Sequence, residues 1–327
     1  MSGNILNRIN CIVAAFVVCS VVLPASALVA QSSPHRVRLA PLASSTAPAD
    51  SAWYPQPLVS HTGTVVQFDA DQISIVLAGQ SVPTRFAASR VIEIESVRPA
   101  PDQRAALALF EQAEFGAALP ALIRAISEHD AATRPPVWRQ QWLSMLACQA
   151  AWRSGRAEIA LELVDQLDAR PLPPLMLSML PIDWTGSVAM SDQEFEIAAG
   201  RAGSKSLAVK LVAASWLLRS PKYHDAAQSA LTRLAAQSQR QTIAKLAGQL
   251  VWRSKTPPEI VADWQRWEQQ INALPMALQT GPMVALFYST RQAGLSDVAK
   301  RWQMTLEHAA PTWHPDRGQV PHSQPAG

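Results

Sequence analysis

The stretch WRSGRAEIALELVDQL, from Trp152 to Leu167, has a shorter near copy in WRSKTPPEIV, from Trp252 to Val261. Both begin with Trp-Arg-Ser and continue with Glu-Ile followed by Ala or Val. The two tryptophans lie 100 residues apart, which corresponds to three units of about 34 residues, the length of a common helix-pair repeat. In the first copy, one helical face carries the apolar residues Ala160, Leu163, Val164 and Leu167. The pattern predicts a series of stacked helix pairs.

Turn and capping residues support a helical-repeat domain over residues 102–310. Ser191 to Glu194 and Thr256 to Glu259 have the form of capping boxes. Gly155 and Gly294 stand where helices are expected to end. Asp102, which follows Pro99 and Pro101, is expected to cap the first helix.

Two segments of this domain differ from the rest. Residues Ser206 to Leu218 are apolar almost all round, which predicts a helix buried between its neighbours. Residues Arg170 to Met190 contain prolines that interrupt regular stacking, at positions 171, 173, 174 and 181.

The spacing of small residues resembles that of tetratricopeptide repeats. Gly294, Ala299, Leu306 and Pro311 match three of the four family positions, and Gly155, Ala160 and Leu167 match two of three. Ala118 and Ala125 keep the paired alanines without the glycine. The resemblance covers roughly Asp102 to Pro311 and implies an αα-hairpin solenoid. Similar arrays bind peptides or protein segments on their curved surface, so the resemblance implies a binding role.

A period of two between Leu58 and Val97 predicts four or five short strands, and a β module at residues 58–98. The run resembles SH3-like and Sm-like small barrels at Gly63, Phe68-Asp69, Ile73 to Leu77, and Arg90-Val91. The resemblance implies a small closed barrel. The asparagine that Sm proteins use to contact a base is missing, because Gln72, Ile73 and Ser74 stand there. RNA binding is therefore not expected. The predicted fold class is mainly α: a tetratricopeptide-like solenoid preceded by a small barrel.

The N-terminus predicts export. Arg8, an apolar run from Ile9 to Leu23 and small residues up to Ala30 form a secretory signal peptide, residues 1–30, with cleavage after Ala27 or Ala30. The alternative is an uncleaved membrane anchor formed by residues 9–30. We expect a disordered linker at 31–57 and a disordered tail at 311–327, because both are rich in proline. The expected location is periplasmic or extracellular.

Charge and cysteine content exclude several classes of function. The formal net charge is +3 over 327 residues, which gives no basic footprint for nucleic acid. Removal of the signal takes away two of the three cysteines and leaves Cys148, so no internal disulfide can form. Cys148 lies among apolar residues and is expected to be a core residue rather than a nucleophile.

No motif predicts catalysis, a cofactor or a metal. The segment Gly200 to Ser206 lacks the strand and the Gly-Lys pair of a phosphate loop and predicts a turn. The seven histidines lie near turns or in the predicted linker and tail, where no ligand set is expected; they are His35, His61, His129, His224, His308, His314 and His322.

Eleven tryptophans are the most distinctive composition feature. Trp138 and Trp142, and Trp264 and Trp267, each share a helical face. We expect most tryptophans to fill gaps between hairpins, and these four to line a groove if any do. The expected function is an exported scaffold that binds a protein or peptide. The alternatives are a membrane-anchored structural component and a hydrolase of an envelope polymer using acids such as Glu111, Glu114 or Glu194.

Overall fold

The structure is a computed structural model that describes residues 34–42, 58–127 and 134–321. The predicted export signal lies outside the described residues, as do His129 and His322. Within these ranges the protein is mainly helical, with twelve α-helices that follow a small antiparallel sheet. No helix of the described ranges is long and apolar enough to cross a membrane.

The sheet has five strands in the described ranges: β1 (His35–Leu39), β2 (Val59–Phe68), β3 (Gln72–Leu77), β4 (Thr84–Ala87) and β5 (Val91–Ser96). Their order is β4-β3-β2-β1-β5, and every neighbouring pair is antiparallel. The predicted closed barrel is wrong. β1 lies between β2 and β5, so β4 and β5 are the two edge strands of the sheet within the described ranges.

β1 corrects the prediction of a disordered linker at residues 31–57. His35, Val37 and Leu39 are buried, whereas Arg36 and Arg38 face outward and pair with Glu95 at 3.3 Å and Glu93 at 2.7 Å. The sequence HRVRL has this alternation, but the prolines around it favoured the prediction of a disordered linker. The prolines at 34 and 41 flank the strand and limit its length. The folded β module therefore begins in the predicted linker.

The helices are α1 (Pro101–Glu111), α2 (Phe115–Ser127), α3 (Val137–Arg153), α4 (Ala157–Leu167), α5 (Pro174–Leu177), α6 (Asp192–Arg201), α7 (Leu207–Leu217), α8 (His224–Ala235), α9 (Gln241–Arg253), α10 (Pro257–Asn272), α11 (Thr280–Gln292) and α12 (Ser296–His308). Short turns join most of them into consecutive pairs that pack together. Gly155 and Gly294 follow α3 and α11 with φ of 74° and 77°, a conformation that favours glycine. Both predicted helix ends are confirmed.

Both predicted capping boxes are also confirmed, at Ser191–Glu194 before α6 and Thr256–Glu259 before α10. The buried helix predicted from Ser206 to Leu218 is α7. Asp102 is not a cap: Ala100 takes that position, because Pro101 supplies the first helical residue and Asp102 falls in the first turn.

The repeated tryptophans pack between neighbouring helices. Trp152 of α3 stacks on Trp216 of α7 with ring centroids 5.5 Å apart and planes within 8°. Trp252 of α9 stacks on Trp267 of α10 at 6.1 Å and 9°. All four are buried, so the repeat of Trp-Arg-Ser places a large aromatic ring at successive helix contacts.

The proline-rich segment, residues 170–190, lies across several helices. Leu180 and Pro181 carbonyls accept hydrogen bonds from Gln149 of α3 at 2.9 Å and from the Trp216 indole of α7 at 2.7 Å. The Asp183 carbonyl accepts from Arg253 of α9, and Trp184 packs against Gly281 of α11. The segment thus covers the faces of four helices.

The C-terminal segment also packs into the protein, which corrects the prediction of a disordered tail at residues 311–327. Thr312, His314, Asp316 and Val320 are buried, and Pro315–Gln319 forms a short 3-10 turn. The prolines limit helix formation, yet the apolar and charged residues between them find partners, including Arg153 for Asp316. Residues 322–327 lie outside the described ranges.

Candidate functional site

A groove of about 1420 Å³ lies between the β5 side of the sheet, helices α1 and α3, and the C-terminal segment. We call it the β5 groove. Its walls are largely apolar and include Leu107, Phe110, Trp142, Met176, Met283 and Trp313. Pockets for small ligands typically measure roughly 300–1,000 Å³. The β5 groove is larger and suits an extended apolar ligand.

The open edge of β5 borders this groove, and residues 92–97 all line it. The Val97 N–H donates to the Pro34 carbonyl at 3.0 Å, so the main chains of these two residues are bonded across the strands. Two residues further along, Arg36 lies opposite Glu95 in the same register. Successive strand residues direct their main-chain groups to opposite sides. Ile94 and Ser96 therefore direct their N–H and C=O groups to the open edge. Neither has a main-chain hydrogen bond outside the sheet within the described ranges.

Arg139 lines the same groove from the first turn of α3. It is 5 % exposed, and its Nε donates to the Gln103 side-chain oxygen at 3.2 Å. No described carboxylate pairs with its guanidinium. Burial lowers the pKa of Arg139 to about 10. A buried cation without an anion is costly, and the dipole at a helix N-terminus adds to that cost.

The carboxylates at the groove are engaged elsewhere or exposed. Glu93 and Glu95 line it, but they pair on the outer face of the sheet with Arg38 and Arg36. Glu111 lines it from an exposed position at the end of α1. The groove therefore combines apolar walls, unpaired main-chain groups and one buried cation.

The structure brings together two of the four predicted groove tryptophans. Trp138 and Trp142 both line the β5 groove, and the Trp138 ring meets His35 edge-on at 5.0 Å. Trp267 is fully buried and donates to Gln249 at 2.8 Å, so it is unable to contact a partner. Trp264 is half-buried beneath Arg301 at 5.3 Å and lies outside the groove. The burial of Trp267 contradicts its predicted role, because shared helical spacing does not reveal which face becomes covered. A partner contact by Trp264 stays a prediction.

A second polar cluster is largely buried. Arg153 pairs with Asp316, Arg253 lies 3.6 Å from Asp183, and His314 lies beside Asp316. Burial lowers the pKa of His314 to about 4 and raises the pKa of Asp183 despite Arg253. These groups hold the proline-rich and C-terminal segments on the helices. Within the described residues, no group of three or more His, Cys, Asp or Glu residues is placed to hold a metal ion.

The remaining candidate residues have structural surroundings. Glu194 belongs to the capping box of α6, while Glu111 and Glu114 are exposed. Cys148 is fully buried, and burial raises the pKa of its thiol. In the segment Gly200 to Ser206, the first two residues end α6, the turn follows from Ala202, and Ser206 caps α7.

The structure corrects the predictions for two of the described histidines. His61 stacks on Phe86 at 4.8 Å, His224 bonds the Leu218 carbonyl, and His308 is exposed. His35 and His314 are buried, and were wrongly assigned to the linker and tail. Their burial depends on contacts with residues distant in the chain.

Comparisons with known proteins leave the groove as the main guide to function. No protein-family model, no curated protein and no solved structure matches this chain.

Proposed function

We propose that this protein is an exported binding protein that holds a peptide or protein segment in the β5 groove. The observation that carries the proposal is the open edge of β5 beside a large apolar groove. An extended peptide binds such an edge by adding a strand, which satisfies the free main-chain groups, while apolar pockets take alternate side chains. Trp138 and Trp142 supply part of the apolar wall.

The proposed architecture is a tetratricopeptide-like array. It is supported by the packing of α7 against α9 and of α9 against α11, since neighbour-but-one helices stack in arrays of helix pairs. In this proposal the proline-rich segment occupies the faces of α3, α7, α9 and α11 that such arrays often use for partners. The partner is therefore proposed to bind at the junction between the helical array and the sheet, where the β5 groove lies.

Strand addition is tested with fluorescein-labelled peptide pools of about eight residues, with Val or Leu at alternate positions. These peptides are long enough to lie along the six residues of β5. The test variant is Ser96→Pro, which removes an N–H directed to the open edge while keeping the bonds to β1. We expect the wild type to bind members of the pool by fluorescence anisotropy and S96P to lose that binding.

The matched control is Arg85→Pro on the opposite edge. The Ala88 N–H donates to the Asp71 carbonyl at 2.8 Å, so by the same alternation Arg85 directs its N–H away from β3. R85P is expected to bind the pool like the wild type. Absence of binding to the wild type, or equal loss in both variants, would contradict the proposal.

The export part of the proposal has its own measurement. N-terminal mass spectrometry of the protein from its native cells is expected to find a mature chain beginning after Ala27 or Ala30. A chain that retains residues 9–30 would support the membrane-anchored alternative instead.

A further inference from the structure

The end of the β5 groove at Arg139 has a specific chemistry. Arg139 is 5 % exposed, lines the groove, and has the Gln103 side-chain oxygen at 3.2 Å as its hydrogen-bond acceptor. A guanidinium has five N–H donors, so the groups beyond Nε lack a protein acceptor among the described residues. Buried arginines are normally paired with an anion. A bound anion would therefore be needed to compensate the positive charge of Arg139.

The neighbouring groups that the structure describes do not provide that anion. His35, which faces the same region, is kept neutral by burial and by Arg139 itself, with its pKa lowered to about 4. Glu93 and Glu95 are paired with Arg38 and Arg36 on the outer face of the sheet. The first turn of α3 favours an anion and disfavours a cation. Charge complementarity thus points to a ligand that brings its own negative group.

The position of Arg139 indicates which negative group this is. Ser96, at the end of β5, pairs with His35, whose ring contacts Trp138 next to Arg139. The chain then leads from β5 into α1, which carries Gln103, the hydrogen-bond partner of Arg139. A segment that lies along the edge of β5 meets α1 at this end. A peptide that runs parallel to β5 has its C-terminus at this end of the groove, which Arg139 also lines, so its last carboxylate is directed toward the guanidinium.

We propose that Arg139 binds the free C-terminal carboxylate of the segment held in the β5 groove. This inference rests on the proposed function, because it requires a peptide on the edge of β5. Arginine and carboxylate form paired, charge-assisted hydrogen bonds, which are strengthened where water is excluded. The groove therefore selects chain ends over internal segments.

The test uses peptides of identical sequence in two forms, with a C-terminal carboxylate or a C-terminal amide. We expect the wild type to bind the acid form about tenfold or more tightly than the amide form. Arg139→Gln is expected to bind both forms equally, and Arg139→Lys to keep part of the preference. Arg124→Gln, which changes an exposed arginine of α2 outside the groove, is expected to keep all of it.

A stability measurement separates this role from a structural one. Since no carboxylate of the described residues pairs with Arg139, R139Q without peptide is expected to melt at the same temperature as the wild type or higher. A markedly lower melting temperature would mean that Arg139 stabilises the fold, and would contradict the assignment of a ligand-binding role.

The outcomes distinguish the two proposals. Equal binding of acid and amide forms by the wild type, with loss in S96P, would overturn the role of Arg139 and leave the groove function standing. Absence of peptide binding overturns both. A third outcome is that decanoate binds in a way that depends on Arg139 while no peptide binds. The carboxylate that Arg139 recognises would then belong to a fatty acid and not to a peptide. Retention of the preference in R139Q would also overturn the inference.

Discussion

At Gly281 the tertiary structure leaves no room for a side-chain Cβ atom. A Cβ at this position would overlap the indole of Trp184, which crosses α11 as part of the proline-rich segment. Gly248, in the middle of α9, has open space around the same position. The sequence does not distinguish these two helical glycines, because the difference comes from a segment about one hundred residues away.

Gly281→Ala is predicted to destabilise the protein by about 1–3 kcal/mol, the usual cost of overpacking a tight contact. Gly248→Ala is the matched control and is expected to stabilise by up to about 1 kcal/mol, since alanine favours a helix. Both values are measured by urea unfolding. Equal effects of the two substitutions would contradict the contact between α11 and Trp184.

His35 predicts a dependence of stability on pH. Its pKa is lowered to about 4 by burial and by Arg139, whereas an exposed histidine titrates near 6.5. Between these values the unfolded chain binds a proton that the folded protein does not. The free energy of unfolding is therefore predicted to fall as the pH decreases from about 6.5 to about 4, by at most about 3 kcal/mol from this residue.

The comparison protein is His35→Asn, whose side-chain oxygen still offers an acceptor to the Val65 N–H. Its unfolding free energy is expected to change less over the same pH range. His314 and Asp183 contribute equally to both proteins, so the difference between the two curves isolates His35. Parallel curves would show that His35 is not the buried neutral group described above.

At the scale of elements, local patterns predicted the helices better than the strands. Capping boxes and terminal glycines act within a few residues of the sequence, so the starts of α6 and α10 and the ends of α3 and α11 were correctly predicted. β1 was missed, because a five-residue strand among prolines gives a weak signal. Its stability comes from β2 and β5, which pair with it on both sides.

This central position of β1 gives a prediction. Val37→Pro removes a main-chain donor and fixes φ in a strand with two neighbours, so it is expected to unfold the sheet. Leu42→Pro, at an exposed position just beyond the strand, is expected to leave the sheet intact. Hydrogen exchange of β2 and β5 measures both effects. Protected amides in V37P would contradict the strand order.

At the scale of the whole molecule, buried ion pairs connect distant parts of the chain. Arg153 at the end of α3 pairs with Asp316 of the C-terminal segment, and their side chains are 7 % and 1 % exposed. Arg253 and Asp183 make the corresponding connection to the proline-rich segment. The repeated Trp-Arg-Ser sequence therefore supplies both the aromatic contacts between helices and the charges that hold the two irregular segments.

Arg153→Met is predicted to destabilise the protein by about 3–5 kcal/mol, because it leaves the buried Asp316 carboxylate uncompensated. Combined with Asp316→Asn the loss is expected to be smaller, since no buried charge remains. The control is Arg301→Met, which breaks an exposed pair with Glu268 and should cost no more than about 1 kcal/mol. Thermal and urea unfolding provide the measurement. Similar losses in R153M and R301M would contradict a buried pair.

The sequence by itself determined the helical class, the repeat of Trp-Arg-Ser, several helix ends and the small β region, since these depend on neighbouring residues and short periods. It also indicated Trp138 and Trp142 as groove residues. Only the tertiary structure decided that the sheet is open, that Arg139 is buried with no carboxylate partner among the described residues, and that residues 170–190 and 311–320 cover the helices. Those features depend on which distant residues become neighbours, and burial and charge compensation arise only after that folding.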